Sequence, residues 1–294
     1  MKTPVEDTYC EAFDGLVARM LITAADEKRL KRAALDSTAL ACTVLGESEG
    51  GLERYVSGSE TPDGREGALI QIWVNKTKDA KEKLEFELGR RIRQGILVVP
   101  TTTLFNALYS EEKLDMTYRV GNCGDGFERH VEYCGREMIE VPIMMGSFKI
   151  ERKMGFEPGI MGGNLWLFCS NEKNALEILD KAEEAIKKVE GVVLTFREGC
   201  SAGSKAGGKY KHIGPSTNEP YCPMLRNIVE NSQVPKGVET IPEIVINGLT
   251  VEAVREAMKK AIQAVDGMKG LVRISAGNYG GKLGRHRIYL KELF

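Results

Sequence analysis

One carboxylate stands where a strand begins. In Pro242-Glu243-Ile244-Val245-Ile246-Asn247-Gly248 the residues alternate with a period of two, so Ile244 and Ile246 share one face and Glu243, Val245 and Asn247 the other. With the isoleucines beneath helices, Glu243 and Asn247 look out from the uncovered face, at the mouth of whatever site forms there. Holding a proton at neutral pH requires the glutamate pKa to rise by about three units, a range that buried carboxyls reach. Such a group would serve as a general acid or an oxyanion donor. Taken alone, a glutamate at a strand start is more often a solvated edge residue.

Glycine supplies the second signal. There are 32 in 294 residues, against an average near ~7%. Gly199, Gly203, Gly207, Gly208 and Gly214 interleave with Ser201, Ser204, Lys205, Lys209, Tyr210 and Lys211, and the stretch from Ser275 to Gly284 repeats the recipe around Lys282. Open backbone amides beside a lysine suit a carboxylate or phosphate ligand, and they suit a flexible surface turn as well. Asp125, within Gly124-Asp125-Gly126, reads either as a polar substrate contact or as a turn residue. Tyr210 and Tyr221 read either as stacking platforms or as core.

Other chemistries lack their patterns. His130, His212 and His286 are far apart and show no H-x-x-x-H spacing, which argues against a metal site. Neither a G-x-S-x-G elbow, nor a Walker loop, nor a dinucleotide fingerprint is present. The seven cysteines, at 10, 42, 123, 134, 169, 200 and 222, form no C-x-x-C pair and read as free thiols of a reducing compartment. Cys222 has no activating neighbour in sequence. With 41 basic and 42 acidic side chains the chain lacks the footprint of a nucleic-acid binder. Apolar runs reach about five residues, as in Ile96 to Pro100, against the ~20 that a bilayer requires. Glu6, Asp7 and Glu11 stand where a secretory signal would be basic and then apolar, so the expected location is the cytoplasm.

The elements that must position these residues repeat. A strand, an amphipathic helix and a second strand recur four times: Arg19–Ala24, Asp26–Leu40 and Ala41–Leu45; Ala68–Val74, Asp79–Gln94 and Ile96–Thr101; Asn164–Ser170, Glu172–Glu190 and Val192–Phe196; Glu243–Asn247, Val251–Asp266 and Leu271–Ala276. The spacing of Ala175, Leu179, Ala182, Ile186 and Val189, and of Val251, Val254, Met258, Ala261 and Val265, makes one apolar stripe on each of the last two helices. Gly95, Gly191 and Gly267 fall where helix C-caps belong, and Asp26 and Thr250 at N-caps. Tyr118 to Ile150 reads as a strand meander.

At roughly 150 residues per domain the length suggests two domains, placed at 1–145 and 146–294. The expected class is α+β, two ferredoxin-like lobes each made of split βαβ units with helices on one sheet face; a single doubly wound parallel sheet is the alternative. The bare faces would be covered by lobe or subunit packing, which predicts a homo-oligomer.

Particular strings carry a resemblance along the whole chain: Glu6-Asp7-Thr8-Tyr9 with Glu11-Ala12-Phe13, Glu60-Thr61-Pro62-Asp63-Gly64-Arg65, Gly124-Asp125-Gly126-Phe127, Gly162-Gly163-Asn164, Ser216-Thr217-Asn218, Tyr221-Cys222-Pro223, Glu243 through Leu249, and Ile274 through Gly284. With these the sequence resembles the formylmethanofuran:tetrahydromethanopterin formyltransferase family. The resemblance implies two ferredoxin-like lobes, a dimer-based and often tetrameric assembly, formylmethanofuran and tetrahydromethanopterin as substrates, and neither metal nor permanently bound cofactor. It casts Glu243 as the catalytic residue, with Asn247 or Asn278 as a second donor. Ser204, Lys205, Lys209, Tyr210, Asn218, Tyr221, Asn278, Lys282 and Asp125 become the candidate substrate contacts. Two alternatives accompany it: a subunit of a methylotroph-type formyltransferase/hydrolase complex, and a non-catalytic paralogue acting as an interaction module.

Overall fold

The apolar stripes of the helices become buried stripes. In the computed structural model, which describes residues 2–39, 47–201, 203–205, 209 and 216–294, the helices are α1 (Glu27–Thr38), α2 (Ala80–Arg91), α3 (Glu172–Ile186) and α4 (Val251–Val265). Ala175, Leu179, Ala182 and Ile186 of α3 and Val254, Met258, Ala261 and Val265 of α4 are buried. The side chains of Asp26, Asn171 and Thr250 accept first-turn amides from Arg29, Asn174 and Ala253 and so satisfy donors that the helices leave open. Gly191 and Gly267, both at φ 77°, adopt the left-handed conformation predicted for them.

Contacts divide the chain into two units, Gly15–Gly159 and Met1–Asp14 with Ile160–Phe294. In the first unit, β1 (Tyr9–Thr23, from Gly15 onward), β2 (Glu49–Val56), β3 (Gly67–Asn75) and β4 (Thr103–Asn106) lie antiparallel in the order β4-β1-β3-β2. Helices α1 and α2 make the two crossovers. Their Leu30, Ala33, Leu84 and Leu88 meet Met20, Ile22, Ile70 and Ile72 of the sheet. Following β4 come β5 (Lys113–Asp115) and the meander β6 (Arg129–Tyr133), β7 (Arg136–Ile143) and β8 (Gly146–Glu151), then β9 (Lys153–Cys169), whose first residues pair with β5. Gly146, at φ 83°, turns the β7–β8 hairpin.

In the second unit the remainder of β9 leads through α3 to β10 (Val192–Leu194), then to the two-residue strands β11 (Ser204–Lys205) and β12 (Ser216–Thr217). After these come β13 (Glu243–Gly248), α4, β14 (Leu271–Ser275) and β15 (His286–Tyr289). The sheet order is β14-β9-β13-β10, again antiparallel throughout, and β15 pairs with Tyr9–Ala12 of β1. The chain is therefore a mixed α+β protein in which one strand order occurs twice.

Several expectations need correction. Ile96–Thr101 is no strand: Ile92–Leu97 prolongs α2 as a π-type turn, Ile96 and Val99 are buried while Val98 is exposed, and Thr101 turns at φ 72°. Its place in the sheet belongs to β4. Gly95 does not cap the helix; an added Cβ would lie 2.6 Å from the Ser37 backbone, so glycine is there to let α1 approach. Ala41–Leu45 lies outside the described residues; β2 is a strand that the apolar pattern does not mark, because its Gly50-Gly51 pair interrupts the alternation. Only Val192–Leu194 of Val192–Phe196 is strand. Nor is the face opposite the helices left for a neighbour to cover. In the first unit Met138 of the meander packs on Leu21, Leu69 and Phe105, and in the second Tyr221, Val234 and Val238, from the segment between β12 and β13, pack with Trp166 and Phe168.

Candidate active site

Strand alternation delivers Glu243 to that covered face. Ile244 and Ile246 are fully buried in the helix-side core, and Glu243 faces the other way. Its register partner on β9 is Trp166, whose indole Nε1–H donates to Glu243 Oε1 at 3.0 Å. Cys200 exchanges both backbone hydrogen bonds with Glu243 at 2.8 Å and so pins the start of β13. Both side chains line a cavity of about 610 Å³, together with Leu179 of α3, Cys200, Gly203, Asn218, Tyr221 and Cys222. Tyr221 meets Trp166 edge-on, with centroids 4.6 Å apart and planes at 63°. Burial pushes the Glu243 carboxyl up to about 7, the Trp166 bond acting in the opposite sense. Among the described lining residues there is no lysine or arginine to draw the carboxyl into its charged form.

A smaller cavity of about 190 Å³ shares Trp166, Asn218 and Tyr221 and adds Asn278, Glu6, Thr8 and Ser275. The Asn278 Nδ2 donates to Thr8 Oγ1 and to the Tyr9 carbonyl. Glu243, Asn218, Tyr221 and Asn278 are thus brought together around one indole. Gly203 opens the glycine-rich stretch beside them: a Cβ there would stand 3.8 Å from Glu243 Oε2. Beyond it Ser204 and Lys205 pair as a ribbon with Thr217 and Ser216, Lys209 is exposed, and Tyr210 lies outside the described residues.

Within this unit Asn247 and Lys282 do not join, and Asp125 belongs to the other unit. Asn247 is wholly buried, not at a cavity mouth, because the β13–β9 register shifts between Ile246 and Gly248; its Oδ1 accepts the Gly162 amide at 2.9 Å. Asp125 is an exposed residue of the other unit, in a left-handed turn at φ 54°. Lys282 is exposed on the C-terminal glycine loop.

That loop already holds an anion, the protein's own. The carboxylate of Glu11, 1% exposed, accepts the amides of Tyr279 (2.8 Å), Gly281, Leu283 (3.1 Å) and Gly284 (2.8 Å). Burial raises the Glu11 pKa, but these four amides outweigh it and hold the carboxyl below its ordinary value. Sequence reasoning found the loop and its anion chemistry and missed the occupant, which sits some 270 residues away in β1. It also missed Trp166 and Asn164; two polar-capable side chains two apart on a buried strand were the available signal. No group of three histidine, cysteine or acidic side chains is placed to hold a metal ion among the described residues, where Cys10, Cys123, Cys134, Cys169, Cys200 and Cys222 are free thiols and no helix is long and apolar enough to cross a membrane.

A strand order that occurs twice, with a buried carboxyl at the wall of a cavity in one unit, defines the class as a mixed α+β protein of two units. Residues 1–143 match the family model described as "Formylmethanofuran-tetrahydromethanopterin formyltransferase", and residues 146–293 match "FTR, proximal lobe". The chain belongs to the formylmethanofuran-tetrahydromethanopterin formyltransferase family. It is 55% identical over 290 residues to a formylmethanofuran–tetrahydromethanopterin formyltransferase-like protein of Archaeoglobus fulgidus, a match covering 99% of this chain and 96% of that one. The solved formyltransferase of Methanosarcina barkeri superposes with a TM-score of 0.92 at 40% identity, covering 99% and 98% of the two chains. A chain of the formyltransferase/hydrolase complex of Methylorubrum extorquens, solved with methylofuran, superposes with a TM-score of 0.89 at 34% identity, covering 98% and 96%.

Proposed function

We propose that this protein transfers a formyl group between formylmethanofuran and tetrahydromethanopterin, with Glu243 as the acid. The observation that carries the reading is a carboxyl pushed up to about 7 at the wall of the larger cavity, in a chain of this family. In the forward sense the pterin nitrogen bonds to the formyl carbon, and the carbonyl oxygen takes the negative charge of the tetrahedral adduct. The bond to the methanofuran nitrogen then breaks as Glu243 delivers a proton to that nitrogen, and the proton shed by the attacking nitrogen restores Glu243. What the fold supplies is alignment of two amines about one carbon and a neutral donor held out of bulk water. Tyr221 and the Trp166 edge offer the apolar wall on which a flat ring rests, Asn218 and Asn278 offer neutral polar contacts, and Lys205, Lys209 and Lys282 take the anionic ends of the carriers.

The same reading takes both lobes, the halves 1–145 and 146–294 of the sequence, as ferredoxin-like, which the twice-repeated 4-1-3-2 strand order supports. The carriers enter as substrates, with no resident cofactor. A cytoplasmic homodimer or homotetramer belongs to it on family resemblance, since the bare sheet faces that first suggested assembly are covered within each unit.

The test is direct formyl exchange with purified protein and both carriers, wild type beside Glu243→Gln. Acid catalysis predicts a kcat loss of ~10²–10⁴ for the variant; a loss under threefold with intact folding rejects the role. One observation favours a second reading: identity is higher to the formyltransferase-like protein of A. fulgidus, 55%, than to the solved M. barkeri enzyme, 40%. A paralogue working on a related carrier, or acting as an interaction module, fits that contrast. Absence of exchange by well-folded wild type would favour it.

A further inference from the structure

The Trp166 indole is held from several directions. Its N–H donates to Glu243 Oε1, Tyr221 stands at its edge, and Gly277 approaches so closely that a Cβ there would come within 2.6 Å of Cζ2 and 2.9 Å of Cε2. Gly277 is itself clasped: its amide donates to Asn164 Oδ1 at 2.6 Å and its carbonyl accepts from Asn164 Nδ2 at 3.2 Å. Asn164 and Trp166 are two apart on β9 and so share a face. The clasp and the ring therefore stand on one rigid strand, paired to the strand that carries Glu243. A buried indole needs an acceptor for its N–H, and this one takes the carboxyl at the cavity wall. With Oε1 occupied, Oε2, the oxygen nearer Gly203, is left to carry the exchangeable hydrogen.

We propose that Trp166 is a positioning residue for formyl transfer: its N–H, aligned by the Asn164–Gly277 clasp, fixes which oxygen of Glu243 bears the proton and how that oxygen meets the formyl group. The inference rests on the reading of Glu243 as the acid. Other titratable groups on the same cavity wall are Glu172, Glu198, Glu239, Cys200, Cys222 and Tyr221, and the charges of Glu6, on the smaller cavity, and Arg273 act on Tyr221. Of these, none enters the balance between burial and the indole bond that sets Glu243.

Trp166→Phe keeps an aromatic ring and removes the donor. Because an N–H bond favours the charged carboxylate, its loss moves the alkaline limb of the pH–kcat profile upward by about one pH unit, with kcat lowered about tenfold and KM within twofold. A reduced kcat with the limb unmoved overturns the proposal. A second readout needs no turnover. The chain has two tryptophans, and Trp73 is buried with its N–H on Gln71, so an emission change that depends on Glu243 reports Trp166. Wild type should show a transition centred near 7 that Glu243→Gln lacks; matching pH responses in the two proteins overturn the proposal, even if Trp166→Phe fails to fold. Full activity in Glu243→Gln defeats the acid reading and this role together, whereas an inactive Glu243→Gln beside a wild-type pH limb in Trp166→Phe defeats this role alone.

Discussion

Replacing Glu11 with glutamine probes the internal anion site quantitatively. The wild-type carboxylate offers Oε1 to the amides of Tyr279 and Gly281 and Oε2 to those of Leu283 and Gly284. Glutamine retains one acceptor oxygen and sets its NH₂ against the second pair of N–H groups, so two amide donors around a buried side chain lose their partner. At about 1.5–3 kcal/mol for each hydrogen bond to a charged group, the expected destabilisation is about 3–6 kcal/mol. The sign of the pH dependence follows from the lowered pKa. Below the ordinary value of 4.5 the unfolded chain takes up this proton before the folded chain does, so the stabilisation, complete at neutral pH, is lost as pH falls from 4.5 through the depressed folded value. Urea titrations of both proteins at intervals from about pH 7 to about pH 3 check both statements. Wild type should lose stability over that window and the glutamine variant should lose less, starting lower. A variant within about 1 kcal/mol of wild type at neutral pH, with a parallel pH course, would refute the reasoning.

Gly95→Ala brings a Cβ to 2.6 Å from the Ser37 backbone, which should lower the urea midpoint by an amount equivalent to about 1–3 kcal/mol while kcat of the folded enzyme stays unchanged; an unaltered midpoint contradicts the packing argument. Lys282→Gln, at an exposed position, should raise KM for one carrier and leave kcat nearly as it was. Collapse of kcat at fixed KM would show that anchoring is the wrong description. On the proposed reading, in which protonated Glu243 is the acid, wild-type kcat should decline as pH rises through about 7, and a profile flat through that range speaks against it.

What the sequence discloses is local. Period two in β13 put Glu243 on the face opposite Ile244 and Ile246, and the three- and four-residue steps of α3 and α4 located their buried stripes, because these patterns depend only on side-chain direction. Asn247 broke the pattern, since a register shift at Gly248 depends on how β13 meets β9 and cannot be seen in β13 alone. Ile96 and Val99 looked like strand because a short apolar run has no period long enough to separate it from a helical turn. The loop from Gly277 to Gly284 announced an affinity for anions through its open amides, yet its partner, Glu11, is reached only when β1 and β15 pair. Trp166 was silent for the same reason: its meaning comes from lying opposite Glu243 across two strands.

The most direct measurement is an infrared titration of the Glu243 carboxyl, isolated by subtracting the spectrum of Glu243→Gln. A protonated C=O band that persists at neutral pH and disappears with a midpoint near 7 is the result predicted. A band already lost near the ordinary 4.5 would contradict it, leaving Glu243 charged when the formyl group arrives.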